Sequence, residues 1–170
     1  MGEPLVDPAC RPGARVAARV LLLDPAQRLL LFEGFDPHVP DETFWFTAGG
    51  GLEPGEELRA GARRELREET GLLLPADRLV GPVWLRRVRF TFEGVEYDSD
   101  EWFFVAALTD VADVDTAGFT ELEARTVRGH RWWSAEELAA TTETVYPLQL
   151  AELLPGLVAD GWDGRLRTID

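Results

Sequence analysis

The chain has 170 residues and a mass of 19.0 kDa, and 45% of its residues are hydrophobic, which is sufficient for one domain with its own core. Its 31 acidic and 17 basic residues give a formal net charge of −14. This excess of negative charge disfavours nucleic-acid polymers and anionic membranes as partners. A single cysteine, Cys10, and two histidines exclude an intramolecular disulfide, a cysteine-rich zinc site and a multi-histidine metal site.

No targeting or membrane signal stands out along the chain. No apolar run reaches the roughly 20 residues that a transmembrane helix needs. The first residues lack the basic segment and small-residue cleavage site of a signal peptide. We therefore expect a cytoplasmic protein with no membrane partner.

The N-terminal third of the chain predicts strands. Residues 1–14 are expected to form an N-terminal tail, because prolines and glycines interrupt any periodicity there. Residues 15–23 and 28–35 are predicted as two strands of a hairpin, separated by the Asp24-Pro25 turn. A polar loop over residues 36–43 leads to a short aromatic strand over residues 44–47. This strand runs into a glycine turn at residues 49–51.

The remaining two thirds predict a mixture of helices and strands. Residues 57–70 predict the clearest helix, which Gly71 ends. Two long strands are expected over residues 79–92 and 95–108, then an acidic loop over 112–126 and a short strand over 129–133. Ser134 and Glu137 form a capping box that begins a helix. An apolar helix over residues 148–158, interrupted at Pro155, is expected to end the domain over residues 15–159, and residues 160–170 are expected to be a C-terminal tail.

The clearest helix has an unusual charge pattern. Each helical residue turns by about 100°, so Glu65, Glu68 and Glu69 fall within one arc beside the apolar face that includes Leu66. Two such carboxylates 4 Å apart repel by about 4 kcal/mol at an effective dielectric constant of 20, and a bound cation relieves this repulsion. Oxygen ligands without cysteine or histidine favour Mg²⁺ or Mn²⁺ over zinc. The alternative is an ordinary surface helix held by pairs of glutamate and arginine.

A longer motif surrounds these glutamates. Residues 50–72, GGLEPGEELRAGARRELREETGL, resemble the Nudix box, G-x5-E-x7-R-E-U-x-E-E-x-G-U, in which U is aliphatic. The order of strands and helices over residues 15–159 also resembles that family. The match holds at every specified position, namely Gly50, Glu56, Arg64, Glu65, Leu66, Glu68, Glu69, Gly71 and Leu72.

The resemblance implies an α/β fold, a Nudix-type α/β/α sandwich with a mixed β-sheet. It also implies Mg²⁺- or Mn²⁺-dependent hydrolysis of the diphosphate linkage in a nucleoside diphosphate joined to another moiety. Glu68 and Glu69 are expected to be metal ligands, and Glu65 to be a ligand or the general base. The Gly49 carbonyl is expected to complete the metal shell.

Other residues are expected to support this site. The resemblance assigns Arg64 a catalytic role in orienting Glu56 and the box glutamates, and Gly50 allows close approach of the backbone. Many members of the family add a carboxylate from outside the box. Glu121 and Glu123 in the acidic loop are the first candidates for it. A second set lies at the start of a strand and comprises Asp98, Asp100 and Glu101.

Substrate recognition is less well indicated by the sequence. Arg87 and Arg89 alternate onto one strand face and, with Arg19 on the first strand, are expected to contact substrate phosphates. Trp45 is a candidate for stacking on a base. Surface solubility for the arginines and core packing for the tryptophan are the alternatives.

Three functions remain open at this level. The leading one is a hydrolase that acts on a small nucleotide or nucleotide-sugar diphosphate, and the resemblance makes a homodimer plausible. The second is a non-catalytic domain that senses a nucleotide, although such a domain has little need of all three box glutamates. The third, an isomerase of isoprenoid diphosphates, ranks last because its expected active-site cysteine would have to be Cys10 in the tail.

Overall fold

A computed structural model describes residues 10–170, so residues 1–9 of the expected N-terminal tail lie outside the described part. None of the helices in the described residues has the length and hydropathy required to cross a membrane. The elements in chain order are β1 (Arg15–Leu23), β2 (Leu29–Phe35), β3 (Thr43–Gly51), α1 (Leu58–Thr70), a 3₁₀ turn (Ala76–Arg78), β4 (Val80–Phe92), β5 (Val95–Ala107), α2 (Glu121–Thr126), β6 (Val127–Trp133), α3 (Ala135–Ala140), β7 (Thr144–Tyr146), α4 (Leu150–Asp160) and β8 (Arg167–Ile169).

The strands form one mixed sheet in the order β6-β2-β3-β1-β5-β4-β8, and β7 pairs with β3. The central strand β1 runs antiparallel to β3 and parallel to β5. Its register places Arg19 opposite Gly49 and Ala18 opposite Gly50. The glycine end of β3 therefore lies beside the middle of a buried strand.

Helices cover both faces of the sheet. On one face, Ala62 and Leu66 of α1 pack with Val20 and Trp102 of the sheet. On the other face, side chains of α3 and α4, including Leu154, pack into a second apolar cluster. Two apolar faces of a sheet need two covering layers. The arrangement confirms the predicted α/β/α sandwich with a mixed sheet.

Local signals located several elements correctly. Helix α1 ends at Thr70, and Gly71 follows in the left-handed conformation with φ of 74°. Helix α3 begins with the predicted capping box, in which Ser134 accepts from the Glu137 backbone N–H. The two long strands β4 and β5 also occupy the predicted region.

The predicted N-terminal hairpin is wrong over most of its length. Strands β1 and β2 pair only at Leu23 and Leu29. Strand β1 is buried on both faces over most of its length, so it belongs between two long neighbours rather than at the end of a hairpin. The short strand predicted over residues 44–47 is wrong in its end point, because β3 continues through Gly51 in register with Ala17.

Three further segments differ from the sequence-based prediction. The expected acidic loop contains α2, which begins with a capping box between Thr120 and Glu123. Helix α4 continues through Pro155, which is exposed, so water can hydrogen-bond the carbonyl that lacks a donor. The expected C-terminal tail includes β8, which pairs with β4 and buries Ile169. The α2 capping box is a local signal that the loop prediction overlooked, whereas β8 depends on its pairing with β4.

The packing of α1 on the sheet predicts a large cost for truncating its central apolar residue. Leu66 is completely buried, so Leu66→Ala should lower the free energy of unfolding by about 2–5 kcal/mol. Leu73 is 70% exposed, and Leu73→Ala should change it by less than about 0.5 kcal/mol. Urea denaturation of both variants tests this. Similar losses in the two variants would contradict the arrangement of the core.

Candidate functional site

Helix α1 presents two buried carboxylates to the sheet. Glu65 and Glu69 are one helical turn apart and therefore share a face, and they are 8% and 2% exposed. Ala62 and Leu66 hold the helix against the sheet, so the two glutamates are carried into the interior with it. They meet the end of β3 at glycine residues 49 and 50.

This close approach depends on the absence of side chains in β3. A Cβ atom on Gly50 would lie 2.7 Å from Glu65 Oε2. Gly49 has a φ of 121°, and a Cβ atom there would lie 2.1 Å from the Ala18 carbonyl oxygen. The Gly49 backbone N–H donates to Glu69 Oε2 at 2.6 Å. The absence of a side chain at Gly50 thus leaves room for the Glu65 carboxylate beside β3.

Arg64 links the glutamates to the loop before the helix. Its Nε and Nη2 atoms each donate to Glu56 across 2.9 Å, which makes a bidentate pair. Its Nη1 atom donates to Glu65 Oε1 at 2.9 Å and to Glu68 Oε2 at 3.1 Å. A further bond from Nη2 reaches the Gly51 carbonyl at 3.0 Å. These contacts place Arg64 where an orienting role requires it.

A carboxylate from outside α1 joins the two buried glutamates. One ligand oxygen from each of Glu65, Glu69 and Glu123 lies within 4.8 Å of the others. Glu123 is the third residue of α2, and its Oε2 atom accepts from Thr120 N–H at 2.8 Å. The capping box therefore fixes the direction of its side chain. We refer to Glu65, Glu69 and Glu123 as the carboxylate cluster.

Two expected metal ligands lie outside this cluster. Glu121 is exposed on the first turn of α2, so of the two candidates in this segment only Glu123 lies in the cluster. The Glu68 side chain is 42% exposed and is held by Arg64 at the solvent side of the helix. A six-residue helix points Glu121 and Glu123 in different directions, which the loop prediction did not anticipate.

The two buried members of the cluster have raised pKa values, chiefly because of their burial. Burial raises the pKa of Glu65, and the charges of Glu68 and Glu123 add to this effect while Arg64 opposes it. Burial also raises the pKa of Glu69 well above its usual range, with Glu123 and Glu65 adding to the effect. The Gly49 N–H and Arg19 work in the opposite direction for Glu69. Negative charge at this point is therefore costly without a cation.

Arg19 lies next to the cluster but is already occupied. Its Nη1 atom donates to the Gly49 carbonyl at 2.7 Å, and its Nη2 atom donates to Glu101 at 2.9 Å. Glu101 is 3% exposed and also accepts from Arg86 at 3.1 Å. The expected phosphate-binding role of Arg19 is not supported, because its guanidinium neutralises a buried glutamate. Glu101, from the second set of carboxylate candidates, is likewise paired with arginines and stands outside the cluster.

The other two arginines expected to contact substrate, Arg87 and Arg89, lie next to aspartates of β5. Arg87 Nε lies 3.9 Å from Asp100, and Arg89 Nε lies 3.2 Å from Asp98. Asp98 and Asp100 in turn bind Arg11, each at 2.7 Å. Arg87 and Arg89 are 46% and 71% exposed, so their contact with substrate phosphates stays a prediction. Asp98 and Asp100 are paired with Arg11 and lie outside the carboxylate cluster.

Trp45 lies in the core rather than at the cluster. It is 8% exposed and belongs to the apolar cluster beneath α3 and α4, on the sheet face opposite α1. Its ring packs edge-to-face on Trp133 with centroids 5.1 Å apart, and its Nε1 atom donates to Glu143 at 3.0 Å. The expected stacking of Trp45 on a base is therefore wrong, since its strand parity turns it away from the site.

Comparison with solved structures shows the same fold. The chain resembles a MutT protein from Methanosarcina mazei Go1, with a TM-score of 0.58 and 16% identity. The match covers 89% of this chain and 98% of that protein. An Ap4A hydrolase from C. elegans matches over 86% and 98% of the two chains, with a TM-score of 0.54 and 17% identity. The E. coli dihydroneopterin triphosphate pyrophosphohydrolase matches over 86% and 98%, with a TM-score of 0.55 and 22% identity.

Sequence comparison identifies the family. The chain is 37% identical over 73 residues to Nudix hydrolase 27, chloroplastic, of Arabidopsis thaliana. This alignment covers 43% of the chain and 30% of that protein. The family model described as NUDIX domain matches residues 13–154, which contain the sheet core, α1 and the carboxylate cluster. Because the Nudix box is complete and the family model matches most of the chain, the chain belongs to the Nudix hydrolase family.

Proposed function

We propose that this chain is a Mg²⁺- or Mn²⁺-dependent pyrophosphohydrolase that cleaves the diphosphate linkage of a nucleoside diphosphate joined to another moiety. The observation that supports this most directly is the convergence of oxygens from Glu65, Glu69 and Glu123 within 4.8 Å. Two proteins of the same fold also support it, since one is named an Ap4A hydrolase and the other a dihydroneopterin triphosphate pyrophosphohydrolase.

The residues present suit a divalent ion with a preference for oxygen ligands. The cluster offers three carboxylates without a thiolate or imidazole among them, and two of these are buried. Arg64 is engaged with Glu56, Glu65 and Glu68, so a cation is needed to balance the remaining charge. We assign the ion to the carboxylate cluster. Glu68 is a proposed further ligand on the solvent side of the ion, and the Gly49 carbonyl is the proposed backbone ligand.

The protein groups have separate roles in the proposed reaction. When bound, a divalent ion would neutralise phosphate charge, lower the pKa of a water molecule and orient that water. Glu65, whose pKa is raised by burial, is assigned as a ligand or as the base that accepts a proton from water. Arg64 keeps Glu65 and Glu68 in position through hydrogen bonds of 2.9 and 3.1 Å. Attack by water on phosphorus then breaks the bridging P–O bond.

Other interpretations have less support. A non-catalytic nucleotide sensor would not require the complete box or a third carboxylate from α2. An isoprenoid diphosphate isomerase would require a cysteine at the site, whereas Cys10 precedes β1 in an exposed position. A homodimer and a cytoplasmic location stay predictions, and the relative from Arabidopsis thaliana is chloroplastic by name.

Loss of a buried cluster carboxylate should strongly reduce turnover. In the presence of Mg²⁺, Glu69→Gln should reduce kcat by about 100-fold or more in phosphate release from a panel of nucleoside diphosphate derivatives. Glu152→Gln, on the exposed surface of α4, is the matched control and should retain full activity. Equal rates for Glu69→Gln and the wild type would contradict the assignment of the metal.

The choice between the two α2 glutamates is testable by metal binding. Glu123→Gln should weaken Mn²⁺ binding about tenfold or more in calorimetric titration, because a charged ligand is lost. Glutamine can still accept the Thr120 N–H, so the capping box and α2 are retained. Glu121→Gln should leave the affinity unchanged. The reverse order of the two variants would assign the site to Glu121.

The raised pKa values predict how stability depends on pH in the absence of metal. The folded state holds protons on Glu65 and Glu69 at pH values where the unfolded chain has released them, so stability should fall as pH rises from about 4.3 through the raised pKa values. In chelator at pH 8, Glu69→Gln should raise Tm by about 2–4 °C. At pH 4 its Tm should equal that of the wild type. Thermal scans across pH measure this, and a Tm that rises with pH only in the wild type would refute it.

A further inference from the structure

Arg15, at the start of β1, lies beside the site and has no assigned role. It shares a strand face with Arg19, because residues four apart on a strand point to the same side. The parallel pairing of β1 with β5 places Arg15 opposite Ser99, two residues from Tyr97 and Glu101. Its side chain therefore extends over the part of the sheet next to the glycine end of β3.

Two contacts hold the guanidinium at this position. Its Cζ atom lies 6.0 Å from the centroid of the Tyr97 ring, within the range of a cation–π interaction. Tyr97 is stacked on Phe90, with centroids 5.2 Å apart and an angle of 16° between the rings, so the platform beneath the guanidinium is itself supported. On the other side, a Cβ atom on Gly51 would lie 3.1 Å from Nη2. A side chain at position 51 would therefore crowd the guanidinium, which Gly51 leaves undisturbed.

Arg15 differs from its neighbours in having no carboxylate partner. Arg19 and Arg86 bind Glu101, while Arg87 and Arg89 approach the aspartates of β5. Within residues 10–170, no carboxylate lies at ion-pair distance from Arg15, although the chain has 31 acidic residues. Partial burial and the charge of Arg19 lower its pKa, whereas the charges of Glu101 and Glu65 raise it. The guanidinium thus lies within the electrostatic field of the cluster while its donors remain free.

We propose that Arg15 is a substrate-binding residue that donates hydrogen bonds to a phosphate of the diphosphate substrate. The planar guanidinium presents two N–H groups in the geometry that fits two phosphate oxygens. A diphosphate held at the carboxylate cluster brings a second phosphate group, and Arg15 supplies the positive charge for it without withdrawing a guanidinium from a buried pair. This inference rests on the proposed function, since it assumes that the cluster holds the other phosphate through a divalent ion.

The test separates substrate binding from metal binding. The variants are Arg15→Gln, Arg15→Lys and the control Arg167→Gln, which removes the same charge from an exposed pair with Asp163. The probe is α,β-methylene-ADP with Mg²⁺ in calorimetric titration, together with Mn²⁺ alone and with KM and kcat for any substrate that is turned over. We expect Arg15→Gln to raise the Kd of the probe and KM about tenfold or more. Mn²⁺ affinity and Tm should be unchanged, Arg15→Lys should be intermediate, and Arg167→Gln should behave as the wild type.

The outcomes distinguish this inference from the function on which it rests. An unchanged Kd and KM in Arg15→Gln would overturn it, as would a weaker Kd accompanied by a loss of Mn²⁺ affinity and a lower Tm. A wild type that binds the probe more tightly than Arg15→Gln but turns over no diphosphate would support Arg15 and overturn the hydrolase proposal. A wild type that binds no probe in Mg²⁺ would overturn both.

Discussion

The packing of two carboxylates against a strand end without side chains is the constraint on which the site depends. Glu65 and Glu69 can be buried only because β3 ends in glycine and because Ala62 and Leu66 bring α1 close to the sheet. Burial raises the pKa values of both glutamates, and the charges of neighbouring glutamates add to this effect. Simultaneous negative charge on both glutamates is therefore costly, and the proposed divalent ion would relieve that cost.

Arginines compensate the remaining acidic charge close to the site. Arg64 binds Glu56, Glu65 and Glu68, while Arg19 links Glu101 to the Gly49 carbonyl. Each of these guanidinium groups is committed to a carboxylate, so the strong net charge of the chain is locally balanced around α1. The surroundings of α1 therefore contain paired charges, whereas the carboxylate cluster keeps a local excess of negative charge.

Sequence reasoning succeeded where the structure follows local rules. The helical period predicted that the box glutamates share one face of α1, and Gly71 and Ser134 marked helix ends correctly. It failed where contacts between distant segments decide. The pairing of β1 with β5 rather than β2, and the core position of Trp45, depend on which strand faces are covered by helices. Arg15 went unnoticed, although strand parity with Arg19 was a signal that could have found it.

The sequence by itself determined the family, the helix of the box and the residue types of the site, because these depend on short spacings within one segment. The tertiary structure alone decided that Glu123 joins the cluster while Glu121 does not, because this depends on where the fold places α2 relative to the buried glutamates of α1. It also decided which arginines are paired, since ion pairs such as Arg19 with Glu101 join residues on different strands. Spacing along the chain cannot reveal such contacts, because they arise only when strands distant in sequence become neighbours in the sheet.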